Sequence, residues 1–432
     1  MAIGRDGGNA HSARWRARLS RLIVEGLAWS GPVALAAFVL LRLHKTSPGA
    51  RDDFFWAAIV VAAAILVFAV RRRLSPTEAM ALEVLATAVV EDYLSWRGGG
   101  GLRDLHLYLF AGANFMNHAA VYATTAIHSY PSGGLEFLPY LYAPPTVPFF
   151  GVLSQLPRGL VDVLWLGGSL AAVLVSLRAF GLAWRWAFVA LIWTPIAQGL
   201  FVGNVVIPSL LLLGAATRVG GGLVLGPLLK PQNGIVSLWL LRERAWRSLA
   251  TGLVALLVLV VVTLPLTGLD LWRQWFEGLA TYQQSQQYLP GLYGFGLGRY
   301  LPMWVFAAIA VFALLAALWA RGREGLARLA LASVIASPSL YIHGFVFAIP
   351  SFLRMRAEWL WLAAGLACVS PMPGPQIALG IGVAAWFVNG MARDVEAERA
   401  ARPGHRPLHP LGAVPEPWPA GEDRQLGGAT VL

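Results

Sequence analysis

The chain carries little charge and almost no cysteine or lysine. Charged residues make up 13% of its 432 residues, against about 25% in a typical soluble domain. Its single cysteine, Cys368, excludes an internal disulfide and a thiolate metal cluster. Because Cys368 lies within an apolar run, helix packing is the simpler role for it. Lysine occurs only at Lys45 and Lys230, so nearly all the positive charge comes from arginine.

The signature motifs of nucleotide and metal enzymes are also missing. The sequence contains no GxxxxGK[ST], no GxGxxG after a strand, no HExxH and no paired CxxC. The run Gly220–Gly222 fits a turn or tight helix packing better than a phosphate cradle. An enzyme without a nucleotide-binding domain needs an activated substrate from elsewhere, and for a membrane protein the lipid phase is the obvious source.

Long apolar segments dominate what is present. Hydrophobic residues make up 57% of the chain, and its 18 tryptophans collect near the ends of apolar runs, as in the interfacial belts of membrane proteins. The sequence therefore predicts an all-α polytopic membrane protein. Several runs are shorter than the ~20 residues of a simple span, so we expect about 11 to 14 transmembrane or partly inserted helices.

The net charge of +11 comes from short arginine clusters between apolar runs, as the positive-inside rule expects. We therefore expect no nucleic-acid partner. The rule places Arg14, Arg16 and Arg18 inside, but Arg178 and Arg185 then fall outside, so one helix between 141 and 241 is re-entrant or miscounted. The predicted organisation is a cytoplasmic basic tail over 1–19, a transmembrane domain over 20–392 with outer loops 97–140 and 268–300, and a disordered cytoplasmic tail over 393–432.

A polar, aromatic-rich segment over 103–157 interrupts the apolar pattern. It opens at Asp104, and a carboxylate beside the bilayer is costly unless it contacts water or a partner. Asp104 is therefore a candidate functional residue. The alternative is that it caps the following helix, which requires no catalysis. The polar residues that follow are of types that contact sugars: His106, Tyr108, Asn114, Asn117, His118 and Tyr122.

Lys230 lies in LVLGPLLKPQNGIVSLWLL, far from any charge cluster. Pro231 breaks the helix there and frees a backbone carbonyl. A lone lysine near the bilayer midplane is expensive and needs an anion or carbonyl groups around it. The functional interpretation is a cation near a phosphate-bearing ligand, and the alternative is snorkelling or a packing contact. His343 in SPSLYIHGF, taken alone, is a weaker candidate of the same kind.

Five segments occur in the order RDLHLYLFAGANFMNHAAVY, YAPPTVPFFGVLSQLP, FVGNVVIPSLLLLGAA, GLVLGPLLKPQNGIVSLWLL and SPSLYIHGF. In this order they resemble glycosyltransferase family 87, integral membrane α-mannosyltransferases of the GT-C fold, over roughly 100–355. The chain departs from the family pattern in three places. Two or three apolar runs precede Asp104 where one is more usual, and two of the motifs differ. Gly203-Asn204-Val205-Val206 stands where Gly-Gln-x-Asn is usual, and Tyr142-Ala143-Pro144-Pro145 replaces Tyr-Pro-Pro. These differences concern the acceptor and the sugar more than the reaction type.

The resemblance implies an inverting hexosyltransferase of the GT-C fold, acting on the outer side of the cytoplasmic (inner) membrane. It would move mannose from a polyprenyl-phosphate donor to a glycan or glycolipid acceptor, with Asp104 as general base. One carboxylate suffices because a lipid phosphate leaves without a proton, while fixed cations stabilise its charge. Membrane lipids are further partners, and we expect no metal or other cofactor. The residues that would contact the donor phosphate or sugar are Lys230, Gln232, His343, Arg299, Tyr108, Tyr142 and Asn204.

Two other classes of protein remain open at the level of sequence. A transporter or flippase for lipid-linked sugars would place polar residues on broken helices, usually in paired repeats. Lys230-Pro231 fits that description, whereas the absence of a repeat and the large outer segment do not. A non-catalytic assembly protein that kept the same fold is the third possibility.

Overall fold

The computed structural model describes residues 76–96, 100–128, 139–216, 218–368 and 373–388. The predicted tails and the first two apolar runs lie outside these ranges. Within them the chain forms fifteen α-helices, six short 3-10 segments and one isolated bridge, Gly294–Leu340. The helices are α1 (Pro76–Trp96), α2 (Arg103–Met116), α3 (Val147–Ser154), α4 (Arg158–Ala179), α5 (Trp184–Ala190), α6 (Thr194–Val202), α7 (Val206–Ala215), α8 (Gly226–Leu229), α9 (Gly234–Arg242), α10 (Trp246–Tyr288), α11 (Met303–Leu318), α12 (Gly322–Ile335), α13 (Ile349–Phe352), α14 (Ala357–Cys368) and α15 (Gly374–Phe387).

The prediction of an all-α membrane protein is confirmed. Among the described residues, α4 and α10 are long and apolar enough to cross a membrane. Helices α5 and α6 pass the same test as a pair, although they are bent by 67° at the break between them. The remaining apolar helices are shorter, because glycine and proline divide the apolar runs into pieces.

Helix α10 extends further than the sequence indicates. Its first part, from Trp246 to Gly268, is about 34 Å long at 1.5 Å per residue, close to the ~30 Å of a bilayer core. Pro265 lies within it, and Gly268 has non-helical backbone angles (φ 62°, ψ 169°) that mark a kink. The chain then remains helical to Tyr288. The predicted outer loop 268–300 is thus largely a helix, because its Gln-, Leu- and Ala-containing sequence favours one.

Two hydrophobic clusters hold the helices together. The larger cluster surrounds α12, in which every residue from Gly325 to Ile335 except Arg328 is buried. The smaller cluster is rich in aromatic residues and joins α2 to α3 and the segment before it. Its buried aromatic members are Tyr108, Tyr122, Tyr140 and Phe150. The aromatic cluster lies directly beside Asp104 on α2.

Close backbone contacts confirm two interpretations made from the sequence. A Cβ on Gly221 would lie 2.8 Å from the Ser248 carbonyl oxygen, and one on Gly252 would lie 2.4 Å from the Gly221 carbonyl oxygen. The glycine run therefore packs tightly against α10. Cys368 is fully buried at the end of α14, where its Sγ donates to the Ala364 carbonyl at 3.3 Å, so it is a packing residue.

Candidate active site

Asp104 lies in the first turn of α2 and is buried. Its Oδ2 accepts a hydrogen bond from Asn204 Nδ2 at 2.6 Å, and its Oδ1 accepts one from Arg103 Nε at 3.2 Å. The N-cap of α2 is Leu102, which has φ 55° and makes no side-chain cap bond. The carboxylate therefore contacts other side chains instead of capping its helix, so the capping alternative does not describe this residue.

Two tyrosines continue the polar network from Asp104. The hydroxyl groups of Tyr108 and Tyr142 are 2.9 Å apart, and the two rings meet edge to face with centroids 5.0 Å apart. Tyr142 also lies within hydrogen-bonding reach of Asn204 and within electrostatic range of Asp104. Burial raises the pKa of both tyrosines, and the nearby Asp104 carboxylate adds to the effect. Both side chains therefore remain neutral hydroxyl groups, able to donate as well as accept hydrogen bonds.

Lys230 is located at the break between two short helices. Its backbone is extended (φ −147°, ψ 123°) between α8 and the 3-10 turn Pro231–Asn233, as the following proline predicts. The Leu228 carbonyl accepts the amide of Ala143 at 3.1 Å, which ties this break to the chain beside Tyr142. Lys230 also lies within electrostatic range of Asp104. The lysine and the carboxylate thus belong to one site.

A small cavity opens beside Lys230, with a volume of about 20 Å³, enough for a water molecule. Gln232, Asn233, Ser337 and Ser339 line it together with the lysine. Gln232 Nε2 donates to Ser337 Oγ at 3.1 Å. Asn233 Nδ2 is buried and, among the described residues, has no hydrogen-bond partner. The cavity therefore offers a cation and an unused donor to a ligand.

His343 and Arg299 occupy different surroundings. His343 is buried, stacks on Tyr341 with ring centroids 5.9 Å apart, and lies within electrostatic range of Lys230 and Arg103. It borders the site. Arg299 is exposed, contacts the Gly294 carbonyl at 3.5 Å and lies over the Tyr300 ring. The structure therefore does not bring Arg299 to Asp104 or Lys230, because the 3-10 turn that carries it points its side chain outward.

Most of the polar residues that follow Asp104 have structural partners. His106 Nε2 and Asp162 Oδ1 are 3.1 Å apart, which joins α2 to α4. Asn114 donates to the Ala120 carbonyl, and the Tyr122 hydroxyl donates to the Tyr142 carbonyl. Asn117 and His118 are exposed at the end of α2. Tyr108 joins the network around Asp104 through its hydroxyl group, and Tyr122 contacts it through the Tyr142 backbone carbonyl.

Residues 140–342 match the family model of glycosyltransferase family 87. The similarity supports a membrane glycosyltransferase, in agreement with the apolar helices. No curated protein and no solved structure matches the chain. The matched region contains Tyr142, Asn204, Lys230 and Gln232 and ends one residue before His343. Asp104 and Tyr108 precede it, so only the three-dimensional structure joins them to the family 87 region.

Three residues that the sequence interpretation passed over lie beside the cavity: Ser337, Ser339 and Gln286. Ser337 Oγ donates to the Ser339 carbonyl, and Gln286 Nε2 donates to Ser339 Oγ. Ser337 and Gln286 are almost fully buried. Together with Gln232 they link the C-terminal end of α10, the turn after α12 and the Lys230 break. The Ser-Pro motif indicated the serines, whereas no local signal separates Gln286 from its three neighbouring glutamines.

Metal ligands do not gather in the described part of the chain. No three His, Cys, Asp or Glu side chains there lie in an arrangement that could hold a metal ion. The charged groups of the site are instead one carboxylate, Asp104, and the cations Arg103 and Lys230.

Proposed function

We propose that the protein is an inverting membrane glycosyltransferase that moves a hexose, with mannose favoured, from a polyprenyl-phosphate donor to a glycan or glycolipid acceptor. The site would act outside the cytoplasmic membrane. The single observation that carries the proposal is a chain of contacts from a buried carboxylate to a half-buried lysine. Asp104 bonds to Asn204, Asn204 bonds to the Val206 N–H, and Val206 and Lys230 line the same cavity. Glycosyl transfer from a lipid phosphate needs one base and one cation, and this site supplies both. The similarity of residues 140–342 to family 87 gives independent support.

Asp104 would accept the proton of the acceptor hydroxyl while that oxygen attacks the anomeric carbon of the donor sugar. The bond between the anomeric carbon and the phosphate oxygen breaks, and the bonding electrons leave with the polyprenyl phosphate. Attack from the face opposite the leaving group inverts the configuration. A carboxylate has about four lone-pair positions, and two of them are occupied by Arg103 and Asn204. The carboxylate thus keeps acceptor positions for the substrate hydroxyl.

Lys230 would stabilise the negative charge that develops on the departing phosphate, because a fixed cation acts strongly where water is excluded. Asn233 Nδ2, which has no partner among the described residues, and Gln232 can donate to the phosphate oxygens. Tyr142, which is neutral and only partly buried, can hydrogen-bond to a hydroxyl group of the sugar, whereas Tyr108 is fully buried and bonds to the Tyr142 hydroxyl. The leaving phosphate needs no proton, which explains why a second carboxylate beside Asp104 is unnecessary.

One observation favours a second candidate function. The extended backbone at Lys230, between two short helices, is the kind of helix break that transporters place at their substrate sites. A transporter of lipid-linked sugars would bind the donor through Lys230 but would not need Asp104 as a base. The two functions therefore differ in what the loss of the Asp104 charge does.

The test is Asp104→Asn in purified full-length protein, assayed with polyprenyl-phosphate mannose and a mixture of glycan and glycolipid acceptors. The amide keeps the size of the side chain but cannot take a proton at neutral pH. Loss of a general base costs typically ~10² to 10⁴ in rate, so the variant should bind donor normally and transfer almost nothing. Asp162→Asn is the matched control, because its carboxylate pairs with His106 outside this network, and it should transfer at the wild-type rate. Normal transfer by Asp104→Asn would reject Asp104 as the base, whereas donor binding without any transfer by the wild-type protein would leave the transporter as the better candidate.

A further inference from the structure

Asn204 is fixed at both ends of its side-chain amide. Its Nδ2 donates to Asp104 Oδ2 at 2.6 Å, and its Oδ1 accepts the backbone N–H of Val206 at 2.9 Å. A backbone N–H can only donate and an ionised carboxylate can only accept, so these two partners define which amide atom is which. Both Asn204 and Asp104 are buried. The amide therefore has one orientation, and that orientation holds the carboxylate.

The backbone around Asn204 is held against the first turn of α2. Gly203 has φ +71°, and a Cβ there would lie 3.0 Å from Leu105 Cβ and 3.2 Å from Leu102 Cδ2. The Phe201 carbonyl accepts the Leu102 amide at 2.7 Å, and the Gly203 carbonyl accepts Trp165 Nε1 at 2.9 Å. These contacts fix where Asn204 stands relative to Asp104, although 100 residues separate the two in sequence.

The second partner of the carboxylate holds it less firmly. Arg103 Nε is 3.2 Å from Asp104 Oδ1, and the Arg103 side chain is 42% exposed. A half-exposed arginine retains much of its rotational freedom and is screened by water. Asn204 has a shorter side chain than Arg103, it is buried, and its hydrogen bond to the carboxylate is shorter. The direction in which the carboxylate points therefore depends chiefly on Asn204.

We propose that Asn204 is a positioning residue that orients the Asp104 carboxylate for proton transfer and does not bind the donor. The proposal rests on the proposed function, and it differs from the donor contact that the family resemblance implies for Asn204. Its amide nitrogen donates to Asp104 and lies within hydrogen-bonding reach of Tyr142. Its amide oxygen accepts the Val206 N–H. The side chain therefore has no free donor for a phosphate. Asn204 acts on the reaction only through Asp104 and its neighbours.

The experiment measures kcat, KM for donor and donor Kd for Asn204→Ala and Asn204→Ser in the purified full chain. Serine can still accept the Val206 N–H in a local turn, but it is too short to replace the bond to Asp104, so Asn204→Ser keeps the fold if alanine does not. Misplacing a reacting group by about 1 Å can cost ~10²-fold. We therefore expect kcat to fall about 10- to 100-fold, with donor KM and Kd unchanged. Ser209→Ala, which removes a buried hydrogen bond in the following helix, is the matched control and should keep wild-type kcat.

A double variant separates positioning from a general structural role. If Asn204 acts through Asp104, Asp104→Asn with Asn204→Ala should be no slower than Asp104→Asn alone, because interacting residues give non-additive effects. Full additivity, a normal kcat in both Asn204 variants, or a rise in donor Kd at unchanged kcat would each overturn the inference. If Asp104→Asn is inactive, any of these three results rejects only the role of Asn204 and leaves the proposed function in place. If Asp104→Asn transfers normally, Asp104 is not the base and Asn204 cannot act through it. If the wild-type protein transfers nothing, the proposed function itself fails.

Discussion

Gly112 offers a test of the structure that does not depend on any substrate. It lies in α2, where that helix crosses α3, and a Cβ at this position would be 2.3 Å from the Phe150 carbonyl carbon and 2.5 Å from the Gly151 nitrogen. Both neighbours are backbone atoms, so no side chain can rotate away. Gly112→Ala therefore requires α2 and α3 to separate, and α2 carries both Asp104 and Tyr108.

The magnitude follows from two opposing effects. Alanine is favoured over glycine in a helix by about 1 kcal/mol, whereas overpacking a tight contact costs typically 1–3 kcal/mol. Gly168 in α4 is a matched control, because no atom lies within 4 Å of the Cβ that alanine would add there. The helix preference is common to both variants and cancels in the comparison. Gly112→Ala should be less stable than Gly168→Ala by about 1–3 kcal/mol, near the upper end because the clash is with backbone.

The assay is thermal unfolding of the two purified variants in the same detergent, followed by tryptophan fluorescence. We expect Gly112→Ala to melt below wild type and Gly168→Ala to melt at or above it. Transfer activity should fall with Gly112→Ala, since the displacement of α2 moves the base. Equal melting temperatures for the two variants would refute the close crossing of α2 and α3, and with it the placement of Asp104.

Two further predictions concern the lysine and the orientation of the chain. Lys230→Met should weaken donor binding strongly, whereas Lys230→Arg should keep part of it, because a phosphate requires the charge more than the shape of the ammonium group. Unchanged donor affinity in a folded Lys230→Met protein would show that the lysine is only a packing residue. Cysteines at the exposed positions Asn117 and Gln287 should react with an impermeant thiol reagent in intact cells, whereas a cysteine at Arg247 should not. The reason is that the first part of α10, which separates Arg247 from Gln287, is long enough to cross the bilayer. Labelling of Arg247→Cys and Asn117→Cys from the same side would contradict this orientation.

The sequence predicts the helical class and most of the residues in the network because both depend on local chemistry. Apolar composition forces helices in a membrane, and a buried carboxylate or lysine must have a polar environment. The prediction that Asp104 and Lys230 are candidate functional residues thus follows from the free-energy cost of placing a charge in or beside the bilayer. Their electrostatic interaction in the folded protein does not follow from the sequence, since they are 126 residues apart.

Other features depend on contacts that a single sequence does not contain. The sequence predicts a loop for the C-terminal part of α10, because its glutamine and tyrosine residues are also typical of polar loops. Gln286 differs from Gln283, Gln284 and Gln287 only in which side of the helix it occupies, and that side is set by Ser339, 53 residues later. Arg299 carried the same charge as the other cationic candidates, but its backbone turn directs it to Gly294 and Tyr300.

The breaks in the apolar runs and the polar site have one cause. Leu102 and Gly203 adopt left-handed backbone angles and Lys230 an extended one, and each ends or precedes a short helix. A break in a membrane helix leaves backbone groups unpaired, and such groups are tolerated only where protein or a water-filled cavity satisfies them. Here the Leu102 amide bonds to the Phe201 carbonyl, and the Leu228 carbonyl accepts the Ala143 amide, so the breaks pair with other segments of the chain. This pairing brings the end of α6 to the start of α2 and the end of α8 to the segment beside Tyr142, and these parts of the chain carry Asn204, Asp104 and Lys230. The breaks that divide the apolar runs into short helices therefore also help to form the candidate active site.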